Sequence, residues 1–362
     1  MKKNICISFN HFQYADGVAR SAIGIANKLS ECNDLQIILR PIYHVEKNIM
    51  NVVSPNVSVK PVFGFFFSGM AKIVNRLPKS FLHYLIFGNS KYDIEIGFQH
   101  GTSTIAVVSG PKDRSKHLIW IHGYDDSLAL KDYYLKADQV VCVSKCNAER
   151  LAKEINIGNR VTYSYNLIDD KKVQLLGKEP VDVFKNDCLK LVTVGRLSPE
   201  KGFLRLLDVL GTLKHEGFCF EMVFVGDGPQ KQELVTLCKE NKIEKEVVFV
   251  GNQSNPHKYT SKADVFICSS YSEGYSTACT EAVMLGIPVI TTKVSGAEEI
   301  IGDADAGLIV DNSTSGLYDG IKCVLQNTSI INEWKDTLKN TKSRFSIEAR
   351  TQKLKNVLEL LN

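Results

Sequence analysis

Two kinds of hydrophobic pattern alternate along the chain. Short apolar runs of strand length are each followed by a polar loop and then by a segment whose apolar residues recur at helical spacing. Strands that alternate with helices are typical of parallel, doubly wound sheets. The pattern therefore predicts two α/β domains, each built on one sheet. The predicted strands are residues 5–9, 35–39, 94–97, 118–121 and 140–143 in the first half, and 189–194, 222–225, 247–250, 265–268 and 289–291 in the second.

The segment between the two series of strands, residues 166–180, is polar and lacks strong periodicity. We place the interdomain linker there, which gives a first domain at residues 1–168 and a second at residues 181–345. A last helical pattern, at residues 347–361, follows the second sheet. With 362 residues the chain is long enough for two domains that each have a core.

Composition limits the class of protein. The chain is 44% hydrophobic and 23% charged, which is typical of a globular protein. No apolar run reaches about 18 residues, and residues 1–10 match a first strand better than a signal peptide. We therefore expect a cytoplasmic protein. The closest cysteines, Cys142 and Cys146, lack the spacing of zinc and redox motifs, which favours free thiols throughout.

Charge is distributed unevenly, because residues 1–180 carry 23 Lys and Arg against 16 Asp and Glu, which leaves 21 against 24 for the rest. Within the basic half, residues 69–87 form a basic amphipathic pattern that Pro78 is predicted to divide into two helices, preceded by an aromatic run at 63–67. This pattern predicts binding to an anionic membrane surface, on the inner face. An ordinary core-facing helix fits it equally well. The predicted basic stripe consists of Lys72, Arg76, Lys79 and His83.

The most informative acids are Glu273 and Glu281, eight positions apart. Glu273 falls in the loop after predicted strand 265–268, and Glu281 lies in the helix that follows. Ligands bind at the carboxyl ends of parallel strands, where a helix amino terminus favours an anion. The loop before the helix is therefore a candidate phosphate site, formed by Gly274, Tyr275, Ser276 and Thr277.

Two acids beside a phosphate would repel it, so they must face groups that donate hydrogen bonds. Sugar hydroxyls meet that need, and a diphosphate flanked by two sugars is a nucleotide sugar. The setting of both acids, in SEGYS and EAVMLGIPVITT, resembles the family-4 glycosyltransferases, whose signature is Glu, seven residues, Glu. The resemblance implies that Glu273 contacts the transferred sugar and that Glu281 contacts the ribose. The alternative is a loop Glu and a helix Glu placed only for the helix dipole.

The resemblance also implies an architecture and a reaction. These enzymes are retaining and have the glycosyltransferase B fold, with two Rossmann-like domains facing across a cleft. The second domain would bind the donor, the first would bind the acceptor, and the last helix, within residues 346–362, would cross back to the first domain. The resemblance is clearest over residues 189–310 and only general in the first half.

Two cations, Arg196 and Lys201, follow predicted strand 189–194 in a glycine-containing loop. Cations at this strand end suit the negative charge that grows on a departing diphosphate, and the equivalent Arg and Lys of the resembled family bind that group. No paired acids with metal-ligand spacing stand beside the predicted diphosphate. We therefore expect no cofactor and no metal requirement.

Four further residues are candidates at strand ends. Gly17 follows the first strand, where the resembled family often has two adjacent glycines over the donor phosphates; the alternative is a turn residue with positive φ. Gly251 and Asn252 end a strand at the expected base pocket. The side chains of Gly251 and Asn252 do not identify the base. Our expectation for the donor is a UDP-sugar rather than a GDP-sugar. His122 ends another strand and is a catalytic candidate that contacts sugar or acceptor, unless it is a satisfied core histidine.

We therefore interpret the chain as a hexosyl-transferring enzyme. Its expected partners are a nucleotide sugar and a glycan or lipid-linked saccharide, in the synthesis of cell-envelope polysaccharide or lipopolysaccharide, and no nucleic acid. Two alternatives stay open: a sugar-nucleotide epimerase of the same fold, and a non-catalytic sugar-binding protein.

Overall fold

A computed structural model describes residues 2–13, 16–124, 128–302 and 305–359. The chain divides into two compact units, one made of Met1–Leu167 and Arg350–Asn362, the other of Ile168–Ala349. Each unit is built on one parallel sheet with helices, which confirms the predicted fold class. No helix in the described ranges combines the length and the apolarity needed to cross a membrane.

The first unit contains a seven-stranded sheet. Its strands are β1 Lys3–Phe9, β2 Leu35–Pro41, β3 Val57–Val59, β4 Ile94–Gly97, β5 Lys116–Ile121, β6 Gln139–Cys142 and β7 Val161–Tyr163. Its helices are α1 Gly17–Leu29, α2 Met70–Val74, α3 Lys79–Phe87, α4 Thr102–Val107, α5 Lys131–Tyr134 and α6 Lys145–Ile155, with 3-10 turns at Lys47–Val52 and Gly158–Arg160. The strand order is β3-β2-β1-β4-β5-β6-β7, with every pair parallel.

The second unit contains a six-stranded parallel sheet in the order β10-β9-β8-β11-β12-β13. These strands are β8 Leu189–Val194, β9 Phe220–Val225, β10 Val247–Gly251, β11 Val265–Cys268, β12 Val289–Thr292 and β13 Gly307–Val310. The helices are α7 Asp170–Gly177, α8 Phe203–His215, α9 Lys231–Glu240, α10 His257–Thr260, α11 Thr277–Met284, α12 Ala297–Ile300, α13 Thr314–Gln326 and α14 Ser329–Thr341, with 3-10 turns at Pro199–Lys201 and Lys342–Phe345. The last helix, α15 Ile347–Glu359, lies in the first unit from Arg350 onward.

The central strands are buried on both faces, which explains their continuous apolar runs. All four residues of β4 and of β11 are buried. The segment predicted as a linker is different, because it contains α7, whose amino terminus is capped by the Asp169 carboxylate accepting from the Lys172 N–H at 2.9 Å. This short polar helix belongs to the second unit and has too weak a periodicity to be recognised from the sequence.

Two cysteines contradict the prediction of free thiols throughout. Cys188 and Cys219 form a disulfide with a Cα–Cα distance of 5.4 Å. They precede Leu189 and Phe220, which are register partners of the parallel pair β8 and β9. The sheet therefore brings together two cysteines that are 31 residues apart in sequence. No local sequence motif indicates that they pair. The other eight cysteines form no disulfide within the described residues.

Candidate functional site

The second sheet changes direction between β8 and β11, because the chain continues from β8 to β9 and β10 on one side and places β11, β12 and β13 on the other. Ligands of open parallel sheets bind outside the carboxyl ends of the strands at such a switch point. The loop after β8 carries Arg196 and Lys201, and the loop after β11 carries Glu273. The topology thus brings the predicted cations and the predicted acid to one edge of the sheet.

Lys201 and Glu273 form an ion pair at this edge, although they are 72 positions apart in sequence. The Lys201 Nζ donates to Glu273 Oε1 at 2.7 Å, and the Ser270 hydroxyl donates to the same oxygen at 2.7 Å. The side chains are 26% and 13% exposed. Burial lowers the pKa of Lys201. The Glu273 carboxylate raises this pKa by more than burial lowers it, so the pKa lies above its ordinary value. Lys201 is therefore a stable cation beside a carboxylate.

The loop after β11 is held against α8 by a buried arginine that sequence reasoning missed. Arg205 donates to the Ser269 carbonyl at 2.6 Å and to the Ser270 carbonyl at 3.0 Å, and its guanidinium lies 3.8 Å from the Tyr271 ring centroid. Gly202, at φ +64°, makes this close packing possible, since a Cβ there would lie 2.2 Å from the Ser269 carbonyl oxygen. Arg205 lies on the apolar face of α8. A charged residue at a position where the helical pattern is apolar could have indicated its role from the sequence.

Arg196 lies in the same loop as Lys201 but is exposed. Its guanidinium has no hydrogen-bond or ion-pair partner in the part of the chain that the structure describes. A backbone hydrogen bond joins this loop to the turn after β9, because the Leu197 N–H donates to the Asp227 carbonyl at 3.0 Å. A Cβ on Gly228 would lie 2.4 Å from the Leu197 carbonyl oxygen. Gly228 is thus required by the fold, because a side chain at this position would clash with the backbone of Leu197.

The predicted phosphate site, Gly274 to Thr277, leads into the first residue of α11 at the same edge. Ser276 is the N-cap of this helix, and its hydroxyl accepts from the Cys279 N–H at 3.3 Å. Tyr275 is buried, and Gly274 and Thr277 are half-buried. An anion at this terminus would meet the N–H groups of the first turn and the positive end of the helix dipole.

Glu281 lies one turn further along α11, on its buried side, with 11% of its side chain exposed. Its Oε2 lies 3.9 Å from Nδ1 of His257, the first residue of α10. Sequence reasoning missed His257, because nothing in the local pattern links α10 to α11. The two acids therefore have different partners: Lys201 for Glu273, and His257 for Glu281.

Gly251 and Asn252 lie at the carboxyl end of β10. Gly251 has φ +72°, and its carbonyl accepts from the Gly226 N–H at 2.9 Å, while Asn252 is exposed. Because β10 is two strands from β8, these residues lie roughly 10 Å across the sheet from the loop of Lys201. A ribose, which joins a diphosphate to a base, has a length that fits this separation.

Gly17 begins α1 in the first unit, at the carboxyl end of β1. It does not have positive φ, so the alternative of a positive-φ turn residue is wrong. A Cβ there would meet nothing within 4 Å. The Asp16 carboxylate caps the helix by accepting from the Val18 N–H at 2.8 Å, and burial raises its pKa. The Val18 amide therefore already has a partner within the protein.

His122 is half-buried directly after β5, at the carboxyl edge of the first sheet. Burial, helped by neighbouring His100, lowers the pKa of His122 to about 3. The ring is therefore neutral at physiological pH. Within the described ranges its Nε2 has no hydrogen-bond partner, which argues against a satisfied core histidine.

The amphipathic segment of the first unit is divided at Pro78, as predicted, into α2 and α3. Six apolar side chains there are roughly half exposed, and three basic side chains are exposed beside them; together they are called the aromatic–basic patch: Phe65, Phe66, Phe67, Ile73, Phe81, Tyr84, Lys72, Arg76 and Lys79. His83 was predicted on the basic stripe, but it is buried and its Nε2 lies 2.7 Å from Glu95 Oε2. The prediction was wrong because Pro78 separates the two helices, so one helical stripe does not run through both.

Comparison with known proteins finds relatives that are glycosyltransferases. Residues 178–344, most of the second unit, match the family described as "Glycosyl transferases group 1". The N-acetylgalactosamine-N,N'-diacetylbacillosaminyl-diphospho-undecaprenol 4-alpha-N-acetylgalactosaminyltransferase of Campylobacter jejuni is 29% identical over 59% of this chain and 57% of its own length. The lipopolysaccharide core biosynthesis glycosyltransferase LpsE of Rhizobium meliloti is 24% identical over 55% of this chain and 57% of its own. The chain thus matches little more than half the length of these relatives.

Solved structures match nearly the whole chain. HepE of Anabaena, in complex with UDP, has a TM-score of 0.72 at 17% identity, with 99% of each chain covered. The sucrose-phosphate synthase of Thermosynechococcus elongatus has a TM-score of 0.79 at 17% identity, with the same coverage. The chain therefore has the glycosyltransferase B fold, as predicted.

Proposed function

We propose that this chain is a glycosyltransferase that moves a sugar from a nucleotide-sugar donor to a saccharide acceptor. The observation that carries the proposal is the ion pair of Lys201 and Glu273 beside the amino terminus of α11, at the switch point of the second sheet. A cation, a carboxylate and a helix amino terminus at one strand edge suit a sugar diphosphate. The match of residues 178–344 to a glycosyltransferase family supports it.

In this proposal the diphosphate is bound by Arg196, Lys201 and the first turn of α11. As the bond from the anomeric carbon to the diphosphate breaks, negative charge grows on the leaving oxygen, and the fixed cations stabilise it. Glu273 accepts hydrogen bonds from hydroxyls of the transferred sugar. We propose transfer with retention, since the spacing of Glu273 and Glu281 in the sequence resembles the signature of retaining enzymes. The two cations and the helix then make a divalent ion unnecessary.

We propose UDP as the nucleotide and a lipid-linked saccharide as the acceptor. A structural neighbour was solved with UDP-glucose, and the name of one relative contains a diphospho-undecaprenol-linked saccharide. The neutral His122, with an unused ring nitrogen, suits a hydrogen bond to a sugar or acceptor hydroxyl. The pathway would be the assembly of a cell-surface polysaccharide or lipopolysaccharide.

A thermal-shift screen with nucleoside diphosphates and nucleotide sugars tests the donor. UDP and one UDP-sugar are expected to raise the melting temperature, because a ligand at 100 times its Kd stabilises the fold by about 2.7 kcal/mol. The donor is expected to be consumed only when an acceptor is present. An altered donor without acceptor would indicate an epimerase, and binding without turnover with any acceptor would indicate a sugar-binding protein.

Replacing Glu281 with alanine is expected to weaken UDP binding directly. A charge-assisted hydrogen bond to the ribose contributes about 1.5–3 kcal/mol, so calorimetric titration should show a Kd raised by roughly 10- to 100-fold. Glu333→Ala, at an exposed position of α14, is the control and should bind UDP as the wild type does. An unchanged Kd with a collapse of turnover would mean that the roles of Glu281 and Glu273 are exchanged.

We propose that the aromatic–basic patch binds the anionic surface of a membrane. Its aromatic side chains can enter the interface, and each Lys or Arg near an anionic leaflet contributes about 1 kcal/mol. In liposome flotation the protein should float with anionic vesicles and remain in solution with neutral ones. Charge reversal at Lys72, Arg76 and Lys79 should abolish flotation and leave UDP binding intact.

The matched control for this flotation experiment reverses three exposed lysines of the second unit, Lys239, Lys245 and Lys262. It changes the net charge by the same amount and should leave flotation intact. Equal loss of flotation in both triple variants would show that the membrane responds to net charge alone. Absence of flotation at low salt would contradict the membrane proposal itself.

A further inference from the structure

Three metal-ligating side chains, none of which the proposed transfer site uses, meet in the first unit. Glu95 of β4 and His117 of β5 are register partners on neighbouring strands, so their side chains lie on the same face of the sheet. His83 of α3 reaches them from the helix packed on that face. The side chains of His83, Glu95 and His117 are only 9%, 4% and 0% exposed.

The ligand atoms of the three residues all lie within 4.8 Å of one another. Glu95 Oε2 lies 2.7 Å from Nε2 of His83 and 3.6 Å from Nε2 of His117. Ligands at about 2.0–2.2 Å from a tetrahedral zinc ion are roughly 3.4 Å apart. Small side-chain movements would therefore bring all three atoms into one coordination sphere.

The cluster is poorly satisfied by the protein itself. Both ring nitrogens of His117 lack a hydrogen-bond partner within the described ranges, although the ring is fully buried. Native proteins leave few buried polar atoms without a hydrogen-bond partner. A buried atom without one often contacts a bound ion or water molecule. The nearby acid Asp138 accepts from the backbone N–H of His117 at 2.8 Å and leaves the ring unsatisfied. A bound cation would satisfy the Nε2 atom of His117, which faces Glu95, and would balance the buried carboxylate of Glu95.

We propose that His83, Glu95 and His117 bind one Zn²⁺ ion. Two imidazoles and one carboxylate are a ligand set that zinc uses in proteins, with a water molecule as the fourth ligand. Gly110 is packed against the His83 ring, and a Cβ at this position would clash with Nε2 at 2.3 Å. The site thus combines three ligands, burial and an unsatisfied nitrogen.

The position of the cluster indicates a structural role for the ion. Glu95 and His117 are each the second residue of a strand, so the ion would lie at the amino edge of the first sheet, whereas His122 lies at the carboxyl edge. It would fix α3 to β4 and β5. This inference does not depend on sugar transfer, and the ion is not a partner of the diphosphate.

Metal titration of the full-length chain, after chelator treatment, tests the proposal. We expect one Zn²⁺ per chain by elemental analysis and a higher melting temperature with Zn²⁺. Co²⁺ is the spectroscopic probe and should give a tetrahedral spectrum without a thiolate charge-transfer band. Glu95→Gln keeps an acceptor for His83 but removes the anionic ligand. It should weaken zinc binding by at least the roughly 10- to 100-fold that loss of an outer-shell partner costs.

His215→Ala removes an exposed histidine at the end of α8 and should leave zinc binding unchanged. If the Glu95 variant does not fold, the Co²⁺ spectrum and stoichiometry of the wild type decide the question. The proposal is overturned if the wild type binds no stoichiometric ion, if Co²⁺ shows thiolate ligands, or if a folded Glu95→Gln variant binds zinc as tightly as the wild type.

Discussion

Replacing Lys201 with alanine is expected to reduce the rate of sugar transfer by about 10²- to 10³-fold, the loss seen when one donor to a developing anion is removed. The Lys201 ammonium is held at the strand edge by Glu273 at 2.7 Å, so it is in place before the leaving diphosphate gains charge. UDP affinity should fall as well, because UDP carries the same diphosphate. Steady-state kinetics and UDP titration measure the two effects separately.

Two variants make the Lys201 experiment specific. Lys201→Arg keeps the charge and should retain more UDP affinity than the alanine variant. Lys231→Ala removes a lysine that is also paired with an acid, Asp227, but on the exposed surface at 3.1 Å. Exposed pairs contribute little, so this control should behave as the wild type. Transfer by Lys201→Ala within a few-fold of the wild-type rate would exclude Lys201 from leaving-group stabilisation.

Replacing Glu273 with glutamine should lower turnover by about 10²-fold while changing UDP affinity much less. The substitution keeps the shape of the side chain and its hydrogen bond from Ser270, but it removes the charge next to the reacting sugar. A loss confined to turnover identifies an interaction made in the transition state. Glu333→Gln is the exposed control. A large loss of UDP affinity with normal turnover would place Glu273 on the nucleotide instead.

The central strands could be predicted from the sequence because they are buried on both faces. The observed bounds of β4, β8 and β11 are the predicted ones. The three strands that were missed, β3, β7 and β13, all lie at sheet edges. Edge strands are short and pair on one side only, and Val57–Val59 and Val161–Tyr163 have three residues each. Such runs carry too few apolar positions to be distinguished from loops.

The candidate site could be predicted only as separate segments. The local pattern places Lys201 and Glu273 after strands. Their contact depends on β8 and β11 being neighbours in the sheet. Hydrophobic periodicity does not determine strand order. Arg205 was missed because its role depends on the Ser269 carbonyl, which is distant in sequence. His83 was misplaced because its neighbour Glu95 lies on a strand that the helical pattern does not include.

Hydrogen–deuterium exchange of the full chain, with and without UDP, GDP and ADP, tests the central claim most directly. UDP is expected to slow exchange at residues 195–202, which include Lys201, and at residues 274–277, where α11 begins. Lys201→Ala should remove that protection at the same UDP concentration. If no nucleoside diphosphate slows exchange in either loop, or if bound UDP protects only other parts of the chain, the proposed donor site is wrong.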